Sequence, residues 1–149
     1  MQKYINNRTV QDELGKWLGG HDWTFWATPT TGYTMTLNSA RRAMHRLHDI
    51  LDRRSPTTMF WAAERFDCKE GYHTHTLIKT NDDFNLIVQA WQKASGGIKE
   101  GSWQRIQLDH YDKQLGASHY LSKYVTKKIT DYDLLSPGCS RGYMSYKRF

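Results

Sequence analysis

The stretch Thr57 to Thr80 reads TTMFWAAERFDCKEGYHTHTLIKT. Thr57 to Phe66 is rich in aromatic and β-branched residues, and Tyr72 to Thr80 alternates polar with apolar or β-branched side chains. Both patterns predict strands. Cys68 to Gly71 supplies the turn, so the two strands form a hairpin. Side chains alternate faces along a strand. His73 and His75 therefore point the same way. Glu64 stands on the partner strand, nine residues before His73.

The flanking segments decide how this hairpin is housed. Trp23 to Thr28 (WTFWAT) predicts a strand before it. Asn38 is the expected N-cap of a helix in which Ala43, Met44, Leu47, Ile50 and Leu51 recur with period 3.6. That helix runs to about Arg54, where Ser55-Pro56 ends it. Its arginines (Arg41, Arg42, Arg46, Arg53 and Arg54) read as a solvated face. After the hairpin, Asn81 is the expected cap of a second helix. It carries Phe84, Ile87, Val88, Trp91 and Ala94 on one face, and Gly96-Gly97 stops it. Gly101 to Tyr111 (GSWQRIQLDHY) predicts a fourth strand, and Gly116 to about Lys128 a further helix. A short helix over Val10 to Leu18, closed by Gly19-Gly20, precedes the first strand. Residues 129–149 show no clear pattern.

The order strand, helix, strand, strand, helix, strand is that of a split βαβ, ferredoxin-like unit. The fold class is α+β: an antiparallel sheet with helices on one face and the other face open for a site. No repeat or linker-like stretch divides residues 1–149, so a single domain is expected.

Composition narrows the classes. Of 149 residues, 38% are hydrophobic and 24% charged, which fits a packed core rather than a disordered chain. No run reaches the ~18 apolar residues of a membrane span. The first residues (MQKYINNRTVQDELGKW) lack the apolar centre of a signal peptide. Cys68 and Cys139 are too few for a disulfide framework. A reducing, cytoplasmic setting is expected. Lys and Arg number 21 against 15 Asp and Glu, a net charge of +6, which favours an anionic partner. Six Trp and nine Tyr add rings on which single-stranded nucleic acid stacks.

Two imidazoles and a carboxylate on one face suit a divalent ion with coordination positions left open. Glu64, His73 and His75 are therefore the candidate metal ligands. A zinc site on Cys68, His73 and His75 would lack a fourth ligand.

A second constellation lies in ASHYLSKYVTKK, residues 117–128. At ~100° per residue, Tyr120, Lys123, Tyr124 and Lys127 share one helical face, and Leu121, Val125 and Ile129 form the apolar stripe beside it. A phenol with a pKa of about 10 needs nearby positive charge to act as a nucleophile. The lysines supply it. The plain alternative is an amphipathic helix with packed tyrosines.

Together these elements resemble the HUH endonucleases, the initiators of rolling-circle replication. The resemblance rests on His73-Thr74-His75 with Glu64 upstream, and on the Tyr-x-x-Lys helix Tyr120-Leu121-Ser122-Lys123. The doubled form, continuing through Tyr124 and Lys127, looks like the two-tyrosine initiators of small single-stranded DNA phages. It spans about Trp23 to Lys128. One position departs: Thr74 stands where the family has a hydrophobe.

The resemblance implies Mg²⁺ or Mn²⁺ on Glu64, His73 and His75. It implies tyrosine attack on a phosphodiester, with Tyr120 ranked ahead of Tyr124, a 5′-phosphotyrosine and a free 3′-OH. Lys123 and Lys127 would assist at the phosphate. Trp26, Arg65, Lys128 and Arg141 are the expected DNA contacts. The expected partners are an origin of single-stranded DNA, a hairpin by analogy, and a separate host helicase and polymerase, since no GxxxxGK[ST] is present. A monomer, of phage or plasmid origin in a bacterial or archaeal cell, fits this reading. The alternatives are a single-tyrosine transposase or relaxase of the same family, and a non-catalytic module that stacks bases on Trp26, Trp61 and Trp103.

Overall fold

The computed structural model describes residues 16, 18–96, 105–115 and 129–139, and all structural statements below concern these. Five strands and two helices follow in the order β1 (Phe25–Pro29), α1 (Leu37–Arg54), β2 (Thr58–Arg65), β3 (Tyr72–Lys79), α2 (Phe84–Ala94), β4 (Ile106–His110) and β5 (Ile129–Leu135). The strands form one antiparallel sheet in the order β4-β1-β3-β2-β5. The first four strands and both helices are a ferredoxin-like split βαβ unit, and β5 extends it beyond β2. The α+β expectation is borne out. Of the expected helix over 10–18 only residues 16 and 18 are described, both helical, and the expected helix over 116–128 lies outside the described residues.

Alternation sorts the sheet into two faces. Met59, Trp61 and Ala63 on β2, Ile78 on β3, Phe25 and Ala27 on β1, Leu108 on β4 and Leu135 on β5 are buried beneath the helices. α1 covers them with Ala40, Ala43, Met44, Leu47 and Leu51, and α2 with Ile87, Ala90, Trp91 and Ala94. Thr74 and Thr76 also face this side and are fully buried. Thr76 donates its hydroxyl to Phe60 O at 2.7 Å, which compensates its burial. The Thr74 hydroxyl makes no hydrogen bond among the described residues, so the departure from a hydrophobe leaves one unmet polar group.

Several boundaries differ from the sequence expectation. Helix α1 is capped by Thr36 rather than Asn38. The Thr36 hydroxyl accepts from Ser39 N while Ser39 Oγ accepts from Thr36 N, a reciprocal pair that places Asn38 inside the first turn. Helix α2 is capped by Asp83, whose carboxylate accepts from Leu86 N, rather than by Asn81. Phe84 then falls at the first helical position and is exposed. Gly96, at φ 111°, closes α2 in the left-handed region as expected of glycine.

β5 is the element the sequence pattern missed. Its Asp131 and Asp133 pair across β2 with Ala63 and Trp61, on the helix side, where a strand ordinarily carries apolar residues. Arg41 resolves this. Its guanidinium donates to both oxygens of Asp131 and to Asp133, each at 3.1 Å, and lies over the Trp61 ring. Arg41 is thus a cross-layer clamp, not part of a solvated face.

The opposite face is not wholly open. Phe60, Ala62 and Leu77 are buried there under Leu18 and Trp23, with Trp26, Tyr111 and Leu134 packed at the margin. Trp23 Nε1 donates to Leu18 O at 2.8 Å, which fixes this cover.

Candidate metal centre

Glu64 is directly opposite His73 across the β2–β3 ladder, and His75 is opposite Ala62. Paired residues share a face, so all three functional side chains rise from the sheet face opposite the helices, where they are largely buried. The small Ala62 leaves space beside His75, and that imidazole leans toward Glu64. His75 Nε2 lies 3.2 Å and His73 Nε2 3.6 Å from Glu64 Oε2. One donor atom from each residue falls within 4.8 Å of the others. With metal–ligand bonds of ~2.1 Å, neighbouring ligands stand ~3.0–3.4 Å apart. The two carboxylate–imidazole spacings are already close to that demand.

The local environment keeps the imidazoles usable. Burial lowers the His75 pKa to about 3, and the adjacent His73 pushes in the same direction. Burial also lowers the His73 pKa, against the pull of Glu64 and Asp67. Both rings are neutral near pH 7, the form in which an imidazole serves as a metal ligand. This is the donor set of a site for a divalent ion. Among the described residues, this is the group that could hold a metal.

Two supports orient the rings. Thr28 Oγ1 on β1 sits 3.4 Å from His75 Nδ1. A hydroxyl donates or accepts. It can donate to Nδ1 while Nε2–H donates to Glu64, or accept from Nδ1–H when Nε2 turns its lone pair to a cation. His73 is held by ring contacts instead: Phe66 lies 4.7 Å away by centroid and His75 4.7 Å away, edge-on. His73 Nδ1 is buried and hydrogen-bonds to no described residue. Neither Thr28 nor Phe66 was expected from sequence. Alternation from Trp26 would have placed Thr28 on this face, but nothing local marked its hydroxyl as useful.

The other sequence-predicted residues fall as follows. Tyr120, Lys123, Tyr124, Lys127, Lys128 and Arg141 lie outside the described residues. Trp26 stands on the same face as the histidines, opposite Leu77, and packs partly against the Phe60–Leu77 cluster. Arg65 follows Glu64 on β2 and pairs with Tyr72, so alternation points it to the other face, where it is exposed. Trp61 is fully buried under the helices, and Trp103 lies outside the described residues. Cys68 is exposed in the turn and does not join the donor group.

The chain matches no protein-family model, no curated protein and no solved structure. Among the described residues, no helix is long and apolar enough to cross a membrane.

Proposed function

We propose that the chain is an HUH-type endonuclease and strand transferase that nicks and rejoins single-stranded DNA at a replication origin. The observation that carries this reading is the convergence of Glu64, His73 and His75 on the face of a ferredoxin-like sheet opposite its helices. The donors fit a divalent ion. Two nitrogen ligands favour Mn²⁺ over Mg²⁺, which prefers an all-oxygen shell. When bound, such an ion supplies Lewis-acid polarisation of the scissile phosphate.

The residues of the chain do the rest. Glu64, His73 and His75 would hold the ion that sets where the phosphate sits, and Thr28 holds the His75 ring. The phenol oxygen of Tyr120, or of Tyr124 in a second round, bonds to phosphorus as the P–O3′ bond breaks. The phenol loses a proton and the departing 3′ oxygen gains one. The ester count is unchanged, so the step reverses to rejoin strands. Lys123 and Lys127 stabilise negative charge on the phenolate and phosphate. A net charge of +6 favours the polyanionic substrate. A cytoplasmic setting, a monomer, and a separate host helicase and polymerase belong to the same reading.

Burial of Trp61 on the helix side removes one of the three rings that a base-stacking, non-catalytic module would need. The test is incubation with a pool of single-stranded oligonucleotides and Mn²⁺. The expected result is a covalent protein–DNA band that survives denaturation, is lost with chelator and is weakened by Tyr120→Phe or Tyr124→Phe. A band unaffected by either substitution removes the tyrosine assignment.

A further inference from the structure

A cavity of about 230 Å³ opens beside the metal centre. The loop between β1 and α1 forms one wall with Thr30, Thr31, Tyr33 and Thr34, and the β2–β3 turn forms the other with Phe66, Lys69, Glu70 and Tyr72. His73 belongs to its lining as well as to the metal centre. We infer that this cavity seats a single nucleobase, the one adjoining the phosphate at the centre formed by Glu64, His73 and His75; its place next to that phosphate rests on the proposed function, its affinity for a base does not.

Size, chemistry and rigidity support the assignment. The volume is below the ~300 Å³ at which pockets for drug-sized ligands begin, so it takes one ring system and not a whole nucleotide coenzyme. The lining combines aromatic rings with hydroxyls, as a base needs. Phe66 is already engaged, with His73 on one contact and the Lys69 ammonium 4.3 Å from its centroid. Tyr33 is the platform left. It is 43% exposed, yet its hydroxyl is fixed by donation to Ser95 O at 2.9 Å. A flat ring held at its far end and open to solvent is what a base stacks on. Lys69 offers donors and Glu70 an acceptor to the edge of a base.

The two walls are locked together. Met35 O accepts from Tyr72 N at 3.1 Å, and a Cβ on Gly71 would stand 2.7 Å from Thr34 Cγ2. The loop is further tied by Thr30, whose carbonyl accepts from Trp91 Nε1 and whose N–H donates to Arg105 O. The seat is preorganised, which lowers the ordering cost of binding.

The test is an amide chemical-shift titration of the full, metal-free protein with dCMP, dGMP, dAMP and TMP separately. Saturable shifts are expected at Gly32, Tyr33, Gly71 and Tyr72. Tyr33→Ala is expected to reduce affinity about tenfold, and Tyr33→Phe, which keeps the ring but loses its tie to Ser95 O, to reduce it less. Absence of shifts at these amides, or shifts indifferent to Tyr33→Ala, overturns the inference. The covalent-adduct assay separates the two claims. Loop shifts without an adduct leave the base seat standing and remove the nuclease reading. An adduct without loop shifts does the reverse.

Discussion

His75 Nε2 stands 3.2 Å from Glu64 Oε2, across two strands whose register also sets Glu64 directly opposite His73. The relationship depends on the β2–β3 pairing alone, because a one-residue slip would turn either partner to the helix side.

Removing a ligand should abolish cation binding without unfolding the protein. Glu64→Gln and His75→Ala are expected to weaken Mn²⁺ affinity by more than the ~10–100-fold typical of a lost supporting contact. Thr28→Val, which removes the hydroxyl beside His75 Nδ1, is expected to cost about tenfold. Calorimetric titration with Mn²⁺ reads both. Equal affinities in all three variants and the parent would remove the metal centre.

Acid should destabilise the fold before its carboxylates titrate. Burial holds His75 near a pKa of about 3 and His45 near about 4, both below the ordinary 6.5. His45 is faced by Arg41 and His48, which lower it further, and by Asp133 and Asp131, which pull it up. The unfolded chain takes up these protons near pH 6.5 and the folded chain only near the depressed values. Stability is therefore complete above pH 6.5 and falls as pH drops toward 4, by up to ~1.4 kcal/mol per pH unit for each histidine. Urea midpoints measured between pH 7.5 and 4.5 should decline. A flat profile contradicts the buried, neutral assignment.

Gly71 should not tolerate a side chain. Its φ is 103°, and a Cβ would meet Thr34 Cγ2 at 2.7 Å and Met35 O at 3.2 Å. Gly71→Ala is expected to cost about 1–2 kcal/mol from backbone strain, with more from the contact. Chemical denaturation reads this loss.

Arg41→Ala should loosen β5 selectively. It removes the paired contacts to Asp131 and Asp133 and leaves two carboxylates facing the helix layer. Because Arg41 is one-third exposed, the cost is expected at about 1–2 kcal/mol. Amide exchange should rise along Ile129–Leu135 more than along β3.

The same contacts explain what the sequence could disclose. Period-2 alternation in Tyr72 to Thr80 was enough to put His73 and His75 on one face, and an eight-residue hairpin partner fixed Glu64 beside them. The helices were legible because Met44, Leu47, Leu51, Ile87 and Trp91 repeat at helical spacing and are buried. β5 was not, since its inward aspartates are satisfied by an arginine 90 residues away, which no local pattern can register. The caps were misplaced by two residues because Asn, Asp and Thr all serve as caps, and only tertiary geometry selects among neighbours. Alternation puts Thr28 on the histidine face, but the β1–β3 pairing sets its hydroxyl beside His75, and the Tyr33 cavity depends on loop packing between distant segments, beyond the reach of periodicity.

The central claim is covalent strand transfer at this metal centre. The measurement is peptide mass mapping of the denaturation-resistant product formed from single-stranded DNA and Mn²⁺. The account predicts a nucleotide joined through phosphate to Tyr120 or Tyr124, absent when His75→Ala or chelator is used. A nucleotide joined to another residue, or an undiminished product from His75→Ala, would contradict it.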